Sequence, residues 1–428
     1  MKILFFTNTY RPHVGGVARS IESFEAEFRR LGHEVLTIAP QFDPPTEDEA
    51  GVVRVPAVTH FHGTDFSLPV PVPGIVAAAV DQFRPDIVHT HHPFLMGATA
   101  LRIAESRQLP LVFTHHTMYD QFTHYLSGEP AEESPRLTQF VASLVSGYAN
   151  LCDQVIAPSQ SVVDLLRSRG VETPIDVIPT GIDTQRFSRG DGPAFRRRRG
   201  IPPDVPVVGH VGRLALEKNL DFLSQAVAQF LVQRPQARFL VVGSGPCEQS
   251  FKDACRSAGA QDRLIMAGTC EGQELIDAYH AMDVFAFASH SETQGMVVAE
   301  AMSVGLPVVA LDGPGVREVV VDGQNGRLLM QEDAKEYAEA LKWLLDAPAS
   351  DRERILAGIR ATAQEYSLPR TAERELALYE RVMARAGQRT GESATTWDKA
   401  KGRLRAEWSL LTNVANAAGA ALEGPRSD

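Results

Sequence analysis

Two glutamates stand eight positions apart in Ser291-Glu292-Thr293-Gln294-Gly295-Met296-Val297-Val298-Ala299-Glu300. The first falls in a loop after the apolar run 284–288, and the second inside the helical stretch that follows. A carboxylate accepts hydrogen bonds from adjacent hydroxyls, so it grips a sugar or a ribose well. Gly295 at the helix start lets backbone approach a ligand closely, and the first amides of a helix favour a phosphate. One loop can thus hold sugar, phosphate and ribose together, through Glu292, Thr293, Gln294, Gly295, Met296 and Glu300. On spacing alone, two exposed glutamates flanking a core helix remain the plain alternative. A second chemical segment is Gly212-Arg213-Leu214-Ala215-Leu216-Glu217-Lys218-Asn219, directly after the apolar run 207–211. From one turn Arg213 and Lys218 can both reach a diphosphate and neutralise the charge that develops as it departs. A solvated charged turn is the alternative there.

The N-terminal half carries a different set. Gly15-Gly16-Val17 ends the loop after the run 3–6 and opens a helix whose N-terminus favours an anion. Thr114-His115-His116-Thr117-Met118-Tyr119-Asp120 follows the run 111–113, at the strand end where open α/β sheets bind ligands. His89, His91 and His92 suggest a metal cluster at first sight. The run from Arg196 to Arg199 invites a phosphate or lipid reading, against that of a solvated helix face.

These residues sit on a regular framework. Short apolar runs at 3–6, 35–39, 87–89, 111–113 and 155–157 alternate with helical stretches. In 18–31, Ile21, Phe24 and Phe28 share one face, with Glu22, Glu25, Arg29 and Arg30 on the other. Strand–helix alternation implies parallel strands with right-handed crossovers, a doubly wound α/β sheet. The rhythm breaks around 179–203 and restarts at 207, continuing through 239–242, 264–267, 284–288 and 307–310. The expected organisation is a Rossmann-like domain over 1–185, a linker over 186–204 and a second Rossmann-like domain over 205–370. A crossing helix over 371–386 and a tail over 387–428 complete it. Within the tail, Trp397, Leu404, Trp408, Leu411 and Ala415 recur at helical spacing, interleaved with Lys399, Lys401, Arg403 and Arg405. Such a helix suits a membrane surface, with contact expected through 397–415. Docking on the protein itself, or disorder until a partner arrives, are the alternatives.

Composition narrows the class. The 428 residues are 44% hydrophobic and 22% charged, the balance of a globular chain of two or three domains. A net charge of −11 argues against a general nucleic-acid binder. Four scattered cysteines read as buried thiols of a reducing compartment. The N-terminal apolar run is too short for a signal-peptide core, and no run reaches the ~20 residues of a membrane span. The expected location is cytoplasmic, with association at the inner face of the membrane.

Glu292-x7-Glu300, followed by Ala301-Met302 and Gly305-Leu306-Pro307-Val308-Val309-Ala310, resembles the donor-binding signature of the retaining glycosyltransferases of family four. The resemblance extends from Met1 to about Ala386 and implies the GT-B fold. In that fold two Rossmann-like domains face each other across a cleft, and a C-terminal helix crosses back to the first. It implies that Glu292 contacts hydroxyls of the transferred sugar, that Glu300 holds the ribose, and that Arg213 and Lys218 hold the diphosphate. Gly15 and Gly16 match the family's glycine loop, and Gly181-Ile182-Asp183 its hinge-proximal turn. His116 aligns with the active-site histidine near acceptor and sugar, although His115 beside it leaves the choice open. No cofactor is implied, since the nucleotide-sugar is a substrate, and no metal is expected at His89, His91 and His92.

Tyr119, Asp120 and Tyr125, with Glu292-Thr293-Gln294-Gly295, look like the corresponding stretches of bacterial diacylglycerol glucosyltransferases. That likeness implies UDP-glucose as donor, diacylglycerol as acceptor and an α-glycosyl lipid as product. The acidic first domain pulls against a lipid-facing surface. A soluble or glycan acceptor with a UDP- or GDP-sugar donor is the alternative within the class. A nucleotide-sugar epimerase of the same fold, or a dinucleotide enzyme using Gly243-Ser244-Gly245, is the alternative outside it. A catalytically dead binding module is a further one, against which the intact Arg213, Lys218, Glu292 and Glu300 argue. No carboxylate is placed as a nucleophile, so the expected reaction is a front-face displacement. In it the departing phosphate takes the acceptor proton, while domain closure brings His116 against Glu292.

Overall fold

The computed structural model describes residues 1–13, 15–42, 49–58, 68–70, 72–119, 135–290, 292–387 and 396–423. The chain divides into two compact units. Unit 1 comprises Met1–Pro179 and Ala372–Asp428, and unit 2 comprises Thr180–Thr371.

Unit 1 is built on a seven-stranded sheet ordered β3-β2-β1-β6-β7-β8-β9. Its strands are β1 Lys2–Phe6, β2 Glu34–Pro40, β3 Val52–Val55, β6 Ile87–Thr90, β7 Leu111–Thr114, β8 Gln154–Ala157 and β9 Ile175–Val177. A separate antiparallel pair joins β4 Ala57–Val58 to β5 Leu68–Pro69. Every pairing in the large sheet is parallel. The central strands are buried from end to end because helices cover both faces, which is why their sequences read as unbroken apolar runs.

The helix Gly16–Arg30 buries Ile21, Phe24 and Phe28 as its periodicity requires. Glu25 departs from the expected polar face and is 1% exposed. Its carboxylate accepts hydrogen bonds from Tyr10 Oη at 2.6 Å and from Thr37 Oγ1, with Arg29 at 3.5 Å. Burial raises its pKa, and the three donors compensate the lost hydration.

Unit 2 repeats the plan with a six-stranded parallel sheet ordered β12-β11-β10-β13-β14-β15. The strands are β10 Val207–Val211, β11 Arg238–Val242, β12 Leu264–Gly268, β13 Val284–Phe287, β14 Val308–Leu311 and β15 Gly326–Leu329. Counted from the first strand of each unit, both sheets run 3-2-1-4-5-6, and unit 1 adds a seventh strand at the far edge. This is the dinucleotide-fold order, with its switch point between the first strand and the fourth.

Residues 186–204, expected as a linker, belong to unit 2. Phe195, on the helix Gly192–Arg198, is fully buried in the core of that unit. The arginine run around it is structural. Arg196 pairs with Asp283 at 2.8 Å, Arg198 with Asp277 at 3.3 Å and Arg199 with Glu274 at 3.0 Å.

The helix Leu368–Gly387 carries the chain from unit 2 back to unit 1. The tail forms a 28-residue helix, Thr396–Glu423, packed on the helices Met96–Arg107 and Pro135–Ala149. Its small side docks, with Gly402, Ala406, Asn413 and Ala417 buried. Its apolar stripe does not. Leu404, Trp408 and Leu411 are 72%, 74% and 66% exposed. The side chain of Trp397 lies outside the described residues.

Cys152, Cys255 and Cys270 are buried free thiols, and Cys247 is half-buried. No helix is long and apolar enough to cross a membrane among the described residues.

Candidate active site

In unit 2 the two chemical segments follow the strands that flank the switch point. Arg213 and Lys218 lie on the turn after β10, and Glu292 on the loop after β13; these strands pair directly. The sequence separates the loops by some seventy residues, and three contacts join them. Lys218 Nζ meets Glu292 Oε1 at 2.6 Å, with the two side chains 19% and 16% exposed. Ser289 Oγ donates to the backbone oxygen of Glu217 at 3.2 Å, and the His290 amide donates to the same oxygen at 3.3 Å. Arg213 is about half exposed and pairs with Glu217 within its own turn.

The backbone under these loops is packed too closely for side chains. A Cβ at Gly243 would stand 1.9 Å from the Gly212 oxygen, and one at Gly245 2.4 Å from the Leu214 oxygen. Gly243-Ser244-Gly245 therefore serves as the seat of the Arg213 turn, which explains these glycines without a dinucleotide. The Glu292 loop rests likewise on Gly313-Pro314-Gly315. A Cβ at Gly315 would lie 2.7 Å from the Glu292 oxygen and 2.8 Å from the Gln294 amide. Gly295, at φ +70°, turns the loop into the helix Met296–Ser303.

Glu300 lies inside that helix, 8% exposed, and accepts a hydrogen bond from Tyr279 Oη at 2.7 Å. Thr293 and Met296 are half-buried beside Gly295. Gln294, expected to touch the donor, is engaged within the protein. Its amide accepts from the Thr180 N–H at 2.6 Å and donates to the Thr180 oxygen at 2.9 Å, at 3% exposure. Both polar ends thereby help fasten the loop to the chain at Thr180.

In unit 1 the corresponding switch point lies between β1 and β6. Gly15 caps the helix Gly16–Arg30 in extended conformation with no side-chain cap and no acid in the first turn. The histidines after β6 and β7 have distinct jobs. His89 Nδ1 donates to Tyr379 Oη at 2.6 Å, and that hydroxyl in turn donates to Glu375. His89 Nε2 accepts from Thr114 Oγ1 at 2.7 Å. His92 Nδ1 accepts from the Asn8 amide at 3.1 Å, and burial holds its pKa down at about 3. His91 Nδ1 lies 3.0 Å from His116 Nε2, and both rings are held well below the usual imidazole range, chiefly by burial.

His115 is fully buried while His116 is partly exposed, so His116 is the accessible member of the adjacent pair. Tyr119 packs edge-on against Phe94 and His115. Asp120 and Tyr125 lie outside the described residues. No group of three or more His, Cys, Asp and Glu set for a metal ion occurs among the described residues.

Sequence reasoning missed Glu217, Tyr279, Gln294's clamp on Thr180, and the glycines of 313–315. Only the Gly-Pro-Gly after an apolar run carried a signal, that of a tight turn at a strand end.

Comparison with known proteins places this framework. Residues 14–186 match "Glycosyltransferase Family 4" and residues 191–360 match "Glycosyl transferases group 1". An alpha-monoglucosyldiacylglycerol synthase of Streptococcus pneumoniae is 30% identical over 78% of this chain and 76% of its own length. A GDP-mannose-dependent alpha-mannosyltransferase of Mycobacterium tuberculosis is also 30% identical, over 92% of this chain and 99% of its own. Among solved structures, Anabaena HepE in complex with UDP and glucose covers 89% of this chain and 99% of its own, at 22% identity and a TM-score of 0.67. The chain belongs to the family-four glycosyltransferases of the GT-B fold and is a hexosyltransferase, with a retaining mechanism fitting that family.

Proposed function

We propose that the protein transfers glucose from UDP-glucose to the free hydroxyl of diacylglycerol, yielding an α-glucosyl lipid. The observation that carries the donor half is the Lys218–Glu292 pair at the switch point of unit 2. A cation for the diphosphate and a carboxylate for the sugar hydroxyls stand side by side there, with Arg213 on the same turn. Glu300, oriented by Tyr279, takes the ribose hydroxyls. Gly15 and Gly16 serve the donor diphosphate from the helix N-terminus, and His116 and Tyr119 serve the acceptor and sugar side, together with Asp120 and Tyr125.

In the reaction the bond from the anomeric carbon to the phosphate oxygen breaks. The acceptor oxygen bonds that carbon on the same face, and its proton passes to the departing phosphate. Lys218 and Arg213 stabilise the charge left on the diphosphate. The chemistry proposed is metal-free, with these two cations supplying the positive charge that a metal would otherwise bring.

The acceptor half is supported by the tail helix. Its inner face is docked by small residues, so Leu404, Trp408 and Leu411 remain outward, with the exposed Lys401 one turn before Leu404 on the same side, an arrangement suited to an anionic bilayer surface. The enzyme would then work at the inner face of the membrane. The named activity of the pneumococcal relative points the same way. A second reading is favoured by the mycobacterial match, which spans more of the chain: a mannosyltransferase using GDP-mannose.

Purified protein, vesicles containing diacylglycerol and radiolabelled UDP-glucose or GDP-mannose decide between them. The expected result is α-glucosyl lipid from UDP-glucose, undiminished by EDTA. Label entering lipid only from GDP-mannose supports the second reading, and label confined to a water-soluble product overturns both.

A further inference from the structure

The His91 ring makes one hydrogen bond, with a ring nitrogen of His116, and none through its other nitrogen among the described residues. Its Nδ1 lies 3.0 Å from His116 Nε2, with the rings stacked at 5.2 Å and 30°. Its Nε2 is buried with no hydrogen-bond partner among the described residues, and the residue is 2% exposed. Phe5 stands edge-on to the ring at 4.8 Å and the His89 ring lies 4.2 Å away. His89 supplies nothing to it, because its two nitrogens are occupied by Tyr379 and Thr114.

Two neutral imidazoles carry one N–H each, and only one N–H fits between them. If His116 Nε2 is the donor, then His91 must hold its own proton on Nε2, in a site with no hydrogen-bond acceptor. If His91 Nδ1 is the donor, its Nε2 is a bare lone pair and His116 carries its proton on Nδ1. Buried orphan N–H groups are rarer in folded proteins than under-used acceptors. The second arrangement is therefore the one the burial selects. The depressed basicity of both rings keeps them neutral near pH 7, so neither escapes the choice by taking a second proton.

We infer that His91 is a positioning residue that fixes the tautomer of His116, so that His116 presents Nδ1–H as a hydrogen-bond donor and not as a base. The catalytic consequence rests on the glycosyltransferase reading above, in which His116 serves sugar and acceptor. A donor there suits an oxygen of the transferring sugar and leaves the acceptor proton to the departing phosphate.

The test has two arms that fail separately. In protein free of nucleotide, 15N spectra of histidine-labelled material report which ring nitrogen of His116 is protonated, and they require no transfer activity. Protonation at Nδ1 is expected, and protonation at Nε2, with the His91 proton on its own Nε2, overturns the inference. The second arm compares His91→Asn with His91→Asp. Asparagine can still donate to His116 Nε2, whereas an aspartate can only accept and so draws the His116 proton to Nε2. With thermal stability monitored for both, H91N is expected to keep kcat within about threefold of the parent. H91D should lose thirtyfold or more in kcat with little change in donor KM. Equal kcat in two folded variants overturns the positioning role. Should no glycosyl transfer be found at all, the spectra still decide the tautomer.

Discussion

Substituting Gly315 by alanine should damage turnover from outside the set of residues that touch substrate. At φ +75° an alanine carries a strain of about 1 kcal/mol over glycine. Its Cβ would also stand 2.7 Å from the backbone oxygen of Glu292, some 0.7 Å inside the 3.4 Å at which ordinary contact begins. Both neighbours are backbone, so the Glu292 loop must move as a piece. A misplacement near 1 Å in a reacting constellation costs about a hundredfold, so a shift of this size predicts roughly a thirtyfold fall in kcat/KM for the donor. Gly305→Ala is the control, since Gly305 is at φ +87° but a Cβ there meets nothing within 4 Å among the described residues. Both variants should lose about 2–4 °C in Tm from the backbone strain, and only G315A should lose activity. Steady-state kinetics with varied donor, beside thermal melts, separate the two effects. G315A with kcat/KM within twofold of the parent would refute the claim that this glycine seats a donor-binding loop.

Lys218→Ala should lower kcat about 10²–10³-fold, and the double variant with Glu292→Ala should lose less than the product of the two singles, because each leaves the other unpaired; additive losses would contradict a working pair. Leu411→Glu on the outward stripe should weaken binding to anionic vesicles about tenfold, or ~1.4 kcal/mol, while leaving hydrolysis of donor in solution unchanged; co-sedimentation equal to the parent's would remove the membrane role of this face. His210, stacked on Phe285 and Phe287, donates through Nδ1 to the Ala286 oxygen, and burial pushes its pKa down to about 4. Because the unfolded chain takes up this proton near pH 6.5 and the folded one refuses it until about 4, stability is full above 6.5 and falls as the pH drops through that window. The loss by pH 4.5 is about 2.5 kcal/mol, and denaturant melts of His210→Phe should show a shallower decline between pH 7 and 4.5 than the parent; identical slopes would contradict the assignment.

The central strands of both units were legible in the sequence because parallel strands buried on two faces must be apolar throughout. The runs at 3–6, 111–113, 207–211 and 239–242 fall within a residue or two of β1, β7, β10 and β11. The edge strands β3, β9 and β15 were not, because half-exposed positions admit Arg54, Asp176 and Arg327, and these break the apolar signal. Helical periodicity placed Phe24 and Phe28 inside but put Glu25 outside. The donors that compensate its burial come from Tyr10 and Thr37, which periodicity cannot see.

At the site, motif spacing picked out Lys218 and Glu292, and strand order explains why two loops so distant in sequence touch. What it could not reach is the layer beneath. Glu217 joins the loops through a backbone oxygen, Gln294 spends its amide on Thr180, and Gly315 matters for what it lacks. The tail was legible as a stripe without a direction: spacing alone does not say which face of a helix docks. Small residues at 402, 406 and 417 settle it by letting the helix sit close on unit 1.

The central claim is that the donor diphosphate binds in unit 2 where the loops after β10 and β13 meet. A crystal structure of the protein with UDP tests it most directly. Diphosphate density is expected within hydrogen-bond reach of Lys218 and Arg213, with the ribose on Glu300. Nucleotide bound elsewhere, with the Lys218–Glu292 pair undisturbed and no contact to either residue, would contradict it.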